Sequence, residues 1–353
     1  MRKIMTVLML VLLLSSLIPV PEVTSVEMRT ENDHDVRITG TRTKPTRDTT
    51  GDIDGDGLTD ILSRNSNHDV LIYLGKEIND TDIDLNMDYS LKLENINHEK
   101  NNIIISNIFD YNLDGYDDIF LQIYWYNEMS EAQNKVMVFP GKETYSQGEI
   151  FQIDQNADSE NFILNITGLT TSDFTSFGRE IEYYDYDKYG YKDLLISDSG
   201  KMEPGYIRGM IYGFNGEELQ GVTNLSYSDY DFRILPELLN QTSIKGAFGT
   251  DLIIHDFDGD GWEDIIWSQD SVRYIGREYC GLTLIMYNNG STLNGNYTIA
   301  DFQTTWIYGE SQDGFGARSD KQIAVGDLNG DGKNELIIAG PGASGVDNNN
   351  YAC

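Results

Sequence analysis

The stretch HDFDGDGWEDIIW, residues 255–267, places four carboxylates close together, at Asp256, Asp258, Asp260 and Asp264. Like charges at this spacing repel one another unless a cation lies between them. Aspartates at positions 1, 3 and 5 of a tight loop can point at one centre, and a glycine at position 6 permits the sharp turn. Oxygen ligands suit a hard ion, and a flexible cage made only of protein favours Ca²⁺ over Mg²⁺. The stretch therefore predicts a calcium-binding loop.

This loop differs from an EF-hand, which needs a bidentate glutamate at position 12. Position 12 here is Trp267, and the fourth carboxylate stands at position 9 instead. The residues that follow are typical of a β-strand and not of a helix. The pattern D-x-D-x-D-G-x-x-D thus predicts a calcium loop that closes a β-hairpin.

The same pattern recurs along the chain, and its first residues lie 58, 75, 71 and 71 positions apart. The predicted ligands are Asp52, Asp54, Asp56 and Asp60 in loop one (52–60); Asp110, Asn112, Asp114 and Asp118 in loop two (110–118); Asp185, Asp187 and Asp193 in loop three (185–193); Asp256, Asp258, Asp260 and Asp264 in loop four (256–264); and Asp327, Asn329, Asp331 and Glu335 in loop five (327–335). Tyr189 replaces the third ligand of loop three. We therefore expect loops one and four to bind Ca²⁺ most tightly, loops two and five next, and loop three most weakly.

The segments between the loops predict β-strands. An apolar strand precedes most loops, a second follows each loop, and a third ends near a glycine; examples are FGREIEYY (177–184), DLLIS (193–197) and GMIYGFNG (209–216). A weaker fourth strand is predicted at YSLKLENI (89–96), NFILNITG (161–168), NLSYSDYDF (224–232) and YTIADFQTTWIY (297–308). Four short strands per long period are typical of a propeller blade. The predicted fold is all-β, with a helical turn expected only within 234–241.

These residues resemble a known family. Phe177–Gly178, Phe248–Gly249 and Phe315–Gly316 each precede a loop, and IIAGPGASG (337–345) follows the last one. The set is similar to the FG-GAP repeat of the integrin α-subunit propeller and of secreted prokaryotic relatives, over roughly residues 51–345. The resemblance implies a β-propeller that holds calcium in the hairpin between the first two strands of each blade. It also implies adhesion or ligand recognition, and it does not imply an enzyme.

The N-terminal residues indicate a secreted chain. Residues 1–25, with Arg2 and Lys3 before an apolar run, predict a signal peptide, the alternative being an uncleaved membrane anchor. Residues 26–50 are polar and hold at most one strand near 36–41, and residues 51–353 carry the repeats. The fifth unit has only its first two strands, so either the N-terminal segment closes a small ring or the propeller is larger. Six sequons predict glycosylated surface loops, at Asn79, Asn165, Asn224, Asn240, Asn289 and Asn296.

The composition restricts the partners. The formal net charge is −33, from 58 acidic and 25 basic side chains, and five calcium ions would offset only part of it. The remaining charge disfavours nucleic acid and anionic membranes. We expect a protein or glycan ligand at the cell surface, bound by the aromatic loops opposite the calcium loops, such as those that hold Trp125 and Tyr274. The oligomeric state stays open, as does a pairing of Cys280 with Cys353.

Two other functions remain possible at this stage. Paired carboxylates and exposed tyrosines suit a polysaccharide hydrolase or lyase on a propeller scaffold. Against an enzyme, the clustered carboxylates all belong to the repeated loops, whereas a catalytic site is usually singular. A purely structural component of the cell envelope is the second alternative.

Overall fold

A computed structural model provides the structure of the protein. It describes residues 50–75, 88–156, 161–170, 176–200, 209–236, 248–249, 251–269, 280–309 and 323–339, and the backbone of 38–39 and 83–84. Several sequence predictions fall outside these residues. They are the signal peptide, Phe315–Gly316, the end of the 337–345 motif, Asn79, Asn240, Tyr274 and Cys353.

The described chain folds into successive β-sheets, one for each repeat, with the first strands of neighbouring units in contact. This is a β-propeller, as the sequence predicts. The first three strands of each unit are β2 (Thr50–Gly51), β3 (Asp60–Arg64) and β4 (Val70–Tyr73) in blade one; β7 (Asn102–Phe109), β8 (Asp118–Tyr126) and β9 (Ala132–Phe139) in blade two; β12 (Phe177–Tyr184), β13 (Asp193–Asp198) and β14 (Met210–Phe214) in blade three; and β17 (Asp251–His255), β18 (Asp264–Gln269) and β19 (Leu282–Tyr287) in blade four.

The fourth strands complete four antiparallel sheets. They are β6 (Leu91–Asn95), β11 (Leu164–Thr167), β16 (Phe232–Leu235) and β21 (Gln303–Tyr308). Unit five is described as a hairpin of β22 (Ile323–Gly326) and β23 (Glu335–Ile338). A separate short parallel pair joins β1 (Ile38–Thr39) to β5 (Ile83–Asp84).

Three blades carry a fifth strand that the sequence analysis missed. β10 (Glu149–Ile153) pairs in parallel with β6, β15 (Asn224–Ser226) with β11, and β20 (Gly295–Thr298) with β16. Each of these strands lies between the third and fourth strands of its own unit, but it extends the outer edge of the preceding blade. The blades are therefore linked by backbone hydrogen bonds as well as by packing.

The fifth strands correct two of the predicted fourth strands. The segment 224–232 begins with β15 of the preceding sheet, and the true fourth strand of unit three starts at Phe232. In unit four, 297–308 is likewise divided between β20 and β21. In both segments a one-turn 3-10 helix with a capping box separates the two strands, through Ser226 with Asp229 and through Thr298 with Asp301. A serine or threonine followed three residues later by an aspartate starts such a turn and ends the strand.

The predicted helical turn within 234–241 is wrong for its first two residues and is otherwise untested. Residues 234–235 belong to β16, and 237–241 lie outside the described chain. The one α-helical turn among the described residues is α1 (Gly216–Leu219), which Asn215 caps through its side chain.

The hydrophobic core lies between neighbouring blades. One buried cluster joins Leu62 and Ile72 of blade one to Leu121 and Met137 of blade two. Similar clusters join blade two to blade three, blade three to blade four, and blade four to unit five. Strands that are apolar on both faces suit this face-to-face packing of sheets.

The two described Phe-Gly pairs pack blade three against blade two and blade four against blade three. Phe177 and Phe248 are both fully buried. At the first pair, the Gln122 side chain of blade two donates to the carbonyl of Phe177, at 2.7 Å, and Ser106 donates to the carbonyl of Gly178, at 2.6 Å. A Cβ at position 178 would clash with Val136. The pair therefore permits close contact between the sheets.

Candidate calcium loops

All five predicted loops have one geometry, in which the aspartate at position 1 closes the turn. Its Oδ2 accepts a hydrogen bond from the backbone N–H at position 6, at 2.8–2.9 Å in all five loops. The donor is always a glycine with positive φ: Gly57, Gly115, Gly190, Gly261 and Gly332. A residue with a Cβ is strained in this conformation, which explains the glycine at position 6.

The second oxygen of the position-1 aspartate is left for another ligand in two loops. The Oδ1 atoms of Asp52 and Asp185 are buried and accept no hydrogen bond within the described chain. A buried carboxylate oxygen without a partner is costly, because it has lost water and gained nothing in return. A cation in the loop would satisfy it.

Ligand atoms converge in three of the loops. One carboxylate oxygen from each of three side chains lies within 4.8 Å of the others in the sets Asp52–Asp54–Asp60, Asp185–Asp187–Asp193 and Asp256–Asp258–Asp260. Asp56 and Asp264 are not part of these sets. The structure thus brings together three of the four predicted ligands in loops one and four, and all three in loop three.

The amide ligands in loops two and five form hydrogen bonds inside their own loops. Asn112 donates to Oδ2 of Asp114 at 3.0 Å, and Asn329 donates to Oε1 of Glu335 at 3.2 Å. An amide in place of a carboxylate lowers the repulsion inside the loop and also its negative charge. This is the physical reason to rank these loops below loop four.

Loop three has no carboxylate at position 5, and a side chain from outside the loop donates a hydrogen bond to one of its aspartates. Tyr189, at position 5, is 72% exposed and does not turn towards the carboxylates. Asn215, at the N-terminus of α1, donates to Oδ2 of Asp187 at 3.0 Å. One carboxylate of this loop is therefore satisfied in part by the protein itself.

The position-9 aspartates of loops one to four are buried hydrogen-bond acceptors. Each accepts one backbone N–H from position 2 of its loop and one from a residue one or two positions after the third strand. The donors are Ile53 and Gly75 to Asp60, Tyr111 and Gly141 to Asp118, Tyr186 and Gly216 to Asp193, and Phe257 and Asn288 to Asp264, at 2.7–3.1 Å. These aspartates therefore tie the loop to the third strand, a role that the sequence pattern did not predict.

Glycines make this tie possible in the first three blades. A Cβ on Gly75, Gly141 or Gly216 would clash with the backbone carbonyl of position 8 in the adjacent loop. The third strand ends near a glycine, as the sequence predicts, because only a glycine permits the close approach that brings its N–H to the aspartate.

Burial raises the pKa of these four aspartates. Loss of water is the main cause, and the neighbouring loop carboxylates add to it, while the backbone hydrogen bonds act in the opposite direction. The pKa rises from 3.8 to about 6 for Asp60, Asp193 and Asp264, and to about 7 for Asp118. A bound cation would reverse the shift, because it favours the ionised form.

Neighbouring loops contact one another along the rim of the propeller. Asp117 of loop two accepts a hydrogen bond from the N–H of Asp52, at 2.8 Å, and Asn334 of loop five donates to the carbonyl of Asp256, at 3.3 Å. Lys188 of loop three donates to the carbonyl of Gly261, and its ammonium lies 4.2 Å from the ring centre of Trp262. A change in the conformation of one loop can therefore alter the conformation of the neighbouring loop.

Some tyrosines of the strands and loops are buried and others are exposed, so only part of them could contact a sugar. Tyr184 and Tyr186 are buried, and Tyr183 stacks on Phe109 with the ring centres 3.7 Å apart. Trp125 packs against the core between blades one and two. The tyrosines at 126, 189 and 191 are exposed.

The sequon prediction is wrong at one described site. Asn165 lies within β11 and is buried, so it is not in a surface loop. Asn224, Asn289 and Asn296 are exposed. Cys280 is buried, and no helix among the described residues is long and apolar enough to cross a membrane.

Comparison with known proteins agrees with the repeat seen in the geometry. A family model described as FG-GAP-like repeat matches residues 256–338, which begin at loop four and end with β23. Phosphatidylinositol-glycan-specific phospholipase D of Dictyostelium discoideum is 30% identical over 203 residues, which are 55% of this chain and 21% of that protein. The chain thus spans about a fifth of the length of this curated relative. Residues 256–338 are thus similar to the FG-GAP-like repeat, and the repeated blades give the chain a β-propeller fold.

Proposed function

We propose that this protein is a secreted or cell-surface propeller that binds Ca²⁺ in its loops and acts in adhesion or in recognition of a protein or glycan. The observation that carries the calcium proposal is the buried, unsatisfied Oδ1 of Asp52 and of Asp185, each within a cluster of three carboxylates. The described clusters consist of carboxylates, so a hard cation fits them.

Calcium would supply charge neutralisation and stiffness. The carboxylates at positions 1, 3, 5 and 9, or the amide at position 3, would hold it, and Tyr189 would contribute none in loop three. Because the position-9 side chain also anchors the third strand, an ion in the loop would stabilise the whole hairpin and not only its tip. We keep the ranking of loops one and four above two and five, with loop three weakest.

Recognition is proposed on the rim opposite the loops. In an antiparallel sheet, successive connections lie at opposite ends, so the connection between the second and third strands faces away from the calcium loop. In blade two this connection presents Tyr126 and Met129, which are 56% and 79% exposed. Exposed apolar side chains on a rigid scaffold are typical of a binding surface.

The secreted location rests on the N-terminal sequence and on the repeat family, as an extracellular medium also supplies millimolar calcium. The relative named above is an enzyme, but the aligned region is 21% of it. We take from it the repeat and not the reaction. The alternatives remain an extracellular polysaccharide hydrolase or lyase, and a purely structural envelope protein.

Calcium binding is tested by measuring bound metal in the full chain after dialysis, followed by titration of the metal-free protein. We expect more than one equivalent of Ca²⁺ and dissociation constants of about 10⁻⁴ to 10⁻³ M, which extracellular modules commonly show. Asp54→Ala should remove a tight site, and Asp187→Ala should remove a weaker one. A chain that binds no calcium at 10 mM, or about 100 times the tighter of these constants, would refute the proposal.

The recognition role is tested with glycan arrays and surface-protein pull-down, alongside activity assays on a polysaccharide panel. A Tyr126→Ala, Met129→Ala double variant should lose binding without losing calcium affinity. Trp125→Ala is a poorer probe, because its ring packs against the core. Turnover of a polysaccharide by the wild type would favour the enzyme alternative.

A further inference from the structure

Two of the candidate calcium loops carry an asparagine at position 3, and the residue that follows it differs between them. Asn112 precedes Leu113 in loop two, whereas Asn329 precedes Gly330 in loop five. The two amides have the same surroundings: the side-chain oxygen accepts the backbone N–H two residues later, at 3.0 Å in loop two and 2.8 Å in loop five. All four residues are exposed, and φ of the following residue is 60° and 75°. At this point the loops therefore differ by one side chain.

An asparagine that is followed by glycine can react with its own backbone. The nitrogen of the next residue attacks the carbon of the side-chain amide, the bond from that carbon to Nδ2 breaks, and ammonia leaves. Water then opens the resulting five-membered imide ring to an aspartyl or an isoaspartyl residue. A side chain on the next residue hinders the attack, and glycine has none. Asparagine is accordingly among the residues that limit the thermal lifetime of a protein.

We propose that Asn329 is a site of this self-modification, through which loop five converts its own amide into an acid. No described atom lies within 4 Å of the place that a Cβ would take on Gly330. The N–H of Gly330 donates to Oδ1 of Asp327 at 2.7 Å, so a carboxylate can accept the proton while the nitrogen attacks and then pass it to the departing ammonia. The N–H of Asp331 donates to Oδ1 of Asn329, the oxygen on which negative charge develops. Loop five thus presents the nucleophile, the base and the oxyanion donor together.

The other three Asn-Gly pairs of the sequence are held more firmly. Gly216 donates its N–H to a buried carboxylate, and a Cβ on it would clash with a backbone carbonyl. The ring of Trp262 packs directly against Gly290. Gly295 begins β20 and donates its N–H to a backbone carbonyl at 2.8 Å. Of the four pairs, the one at Asn329 therefore combines exposure, free space at the glycine and a carboxylate on the attacking nitrogen.

The link to calcium rests on the proposed function. An ion held by the oxygen of Asn329 would restrict the side-chain motion that ring closure requires, whereas in the metal-free loop the neighbouring carboxylates repel one another. An aspartyl product supplies a carboxylate at position 3, as in loops one and four. An isoaspartyl product lengthens the backbone by one carbon and should distort the turn. The modification would thus mark chains that have lacked calcium.

The experiment follows the amides by peptide mass spectrometry in isotopically labelled water. The full chain is incubated in EDTA, in calcium and in urea, and the conversion of Asn112 and of the four Asn-Gly pairs is measured. Two variants exchange the position-4 residues: Gly330→Leu gives loop five the dipeptide of loop two, and Leu113→Gly does the reverse. Both variants keep every predicted ligand, and loop two shows that leucine is tolerated at this position.

In EDTA we expect Asn329 to react faster than Asn112 and the other three pairs by about tenfold or more, which corresponds to about 1.4 kcal/mol in activation free energy. Gly330→Leu should abolish this lead, and Leu113→Gly should make Asn112 reactive. In urea the four Asn-Gly pairs should react alike. Equal rates at Asn329 and Asn112 in EDTA, or a lead of Asn329 that persists in urea, would overturn the proposal.

Calcium should slow the reaction at Asn329 and leave the pair at 294–295 unchanged. An equal rate at Asn329 in EDTA and in calcium, in a chain shown by titration to bind calcium, would overturn the link to the metal. A chain that binds no calcium would instead refute the proposed function, while the order of rates in EDTA would still support the self-modification.

Discussion

Asp60→Asn tests whether a position-9 aspartate binds metal or only holds the backbone together. The carboxylate accepts hydrogen bonds from the N–H groups of Ile53 and Gly75, both at 2.7 Å, and it is fully buried. An asparagine of the same shape has one acceptor oxygen, so one of the two backbone donors loses its partner. A buried unsatisfied group of this kind costs about 1–3 kcal/mol.

A second effect of Asp60→Asn opposes this loss in the metal-free protein. The pKa of Asp60 is raised from 3.8 to about 6, mainly because burial removes water from the carboxylate. At neutral pH the ionised group therefore destabilises the metal-free fold, by about 3 kcal/mol on the scale that relates pKa to free energy. The two effects nearly cancel, and we expect a change of no more than about 1–2 kcal/mol in the free energy of unfolding in EDTA.

Calcium should stabilise the wild type more than Asp60→Asn. At a hundredfold excess over the dissociation constant, one site stabilises the native state by about 2.7 kcal/mol. The wild type should gain this contribution from loop one, and Asp60→Asn should lose most of it. The assay is urea or thermal unfolding of both proteins, each in EDTA and in calcium, and the quantity compared is the calcium-dependent gain.

Asp301→Asn provides the control. Asp301 accepts a hydrogen bond from the N–H of Thr298 at 2.7 Å in a capping box that is not part of a predicted calcium loop. The Asp301→Asn substitution should lower the free energy of unfolding equally in EDTA and in calcium. An Asp60→Asn protein that keeps the full calcium-dependent gain would show that position 9 is not a ligand, and the four-ligand interpretation of these loops would be wrong.

Three further predictions concern the same loops. Because the pKa of Asp118 is raised to about 7 in the metal-free fold, protons should compete with calcium, and the calcium-dependent rise in melting temperature should shrink between about pH 8 and pH 5.5. The EDTA-treated protein should melt higher at the lower pH, since a raised pKa in the folded state means that proton uptake favours the fold. A calcium-dependent rise that grows on acidification would contradict this. Gly115→Ala should lower the free energy of unfolding by about 1–2 kcal/mol, because φ is 93° while no atom lies within 4 Å of the added Cβ, whereas Leu113→Ala, also at positive φ, should change it little in the same denaturation assay. Lys188→Met should alter calcium affinity at loop four as well as loop three in a titration of each site, and an effect confined to loop three would show that the contact with Trp262 carries no coupling.

Most of the fold is predictable from local sequence because the relevant signals are local. The loop pattern fixes where β-hairpins begin and end, and the apolar runs on either side form strands that pair within a few residues of one another. Strands β12 and β14 lie within the predicted segments, and β13 extends one residue past its own. The Phe-Gly pair also indicated the correct fold, since its packing against the preceding blade needs those two residue types.

The fifth strands were missed because their partners are remote in sequence. β15 has only three residues and pairs with β11, from another unit, so its own side chains give little sign of which sheet it joins. A local signal was present in the capping box at Ser226 and Asp229, which divides the predicted strand 224–232 in two. A strand prediction that ignores capping residues joins two elements that belong to different blades.

The roles of the position-9 aspartates could not be separated from sequence for a related reason. In the loop pattern Asp60, Asp118, Asp193 and Asp264 are four more oxygen ligands, and charge counting treats them like the exposed Asp56. In the structure they are buried, their oxygens already accept backbone N–H groups, and their pKa values are raised. A carboxylate oxygen has two lone pairs, so it can accept a hydrogen bond and still bind an ion. We infer that an ion in these loops would act on the fold through this shared side chain: it would relieve the cost of burying the charge and thereby strengthen the tie between the loop and the third strand.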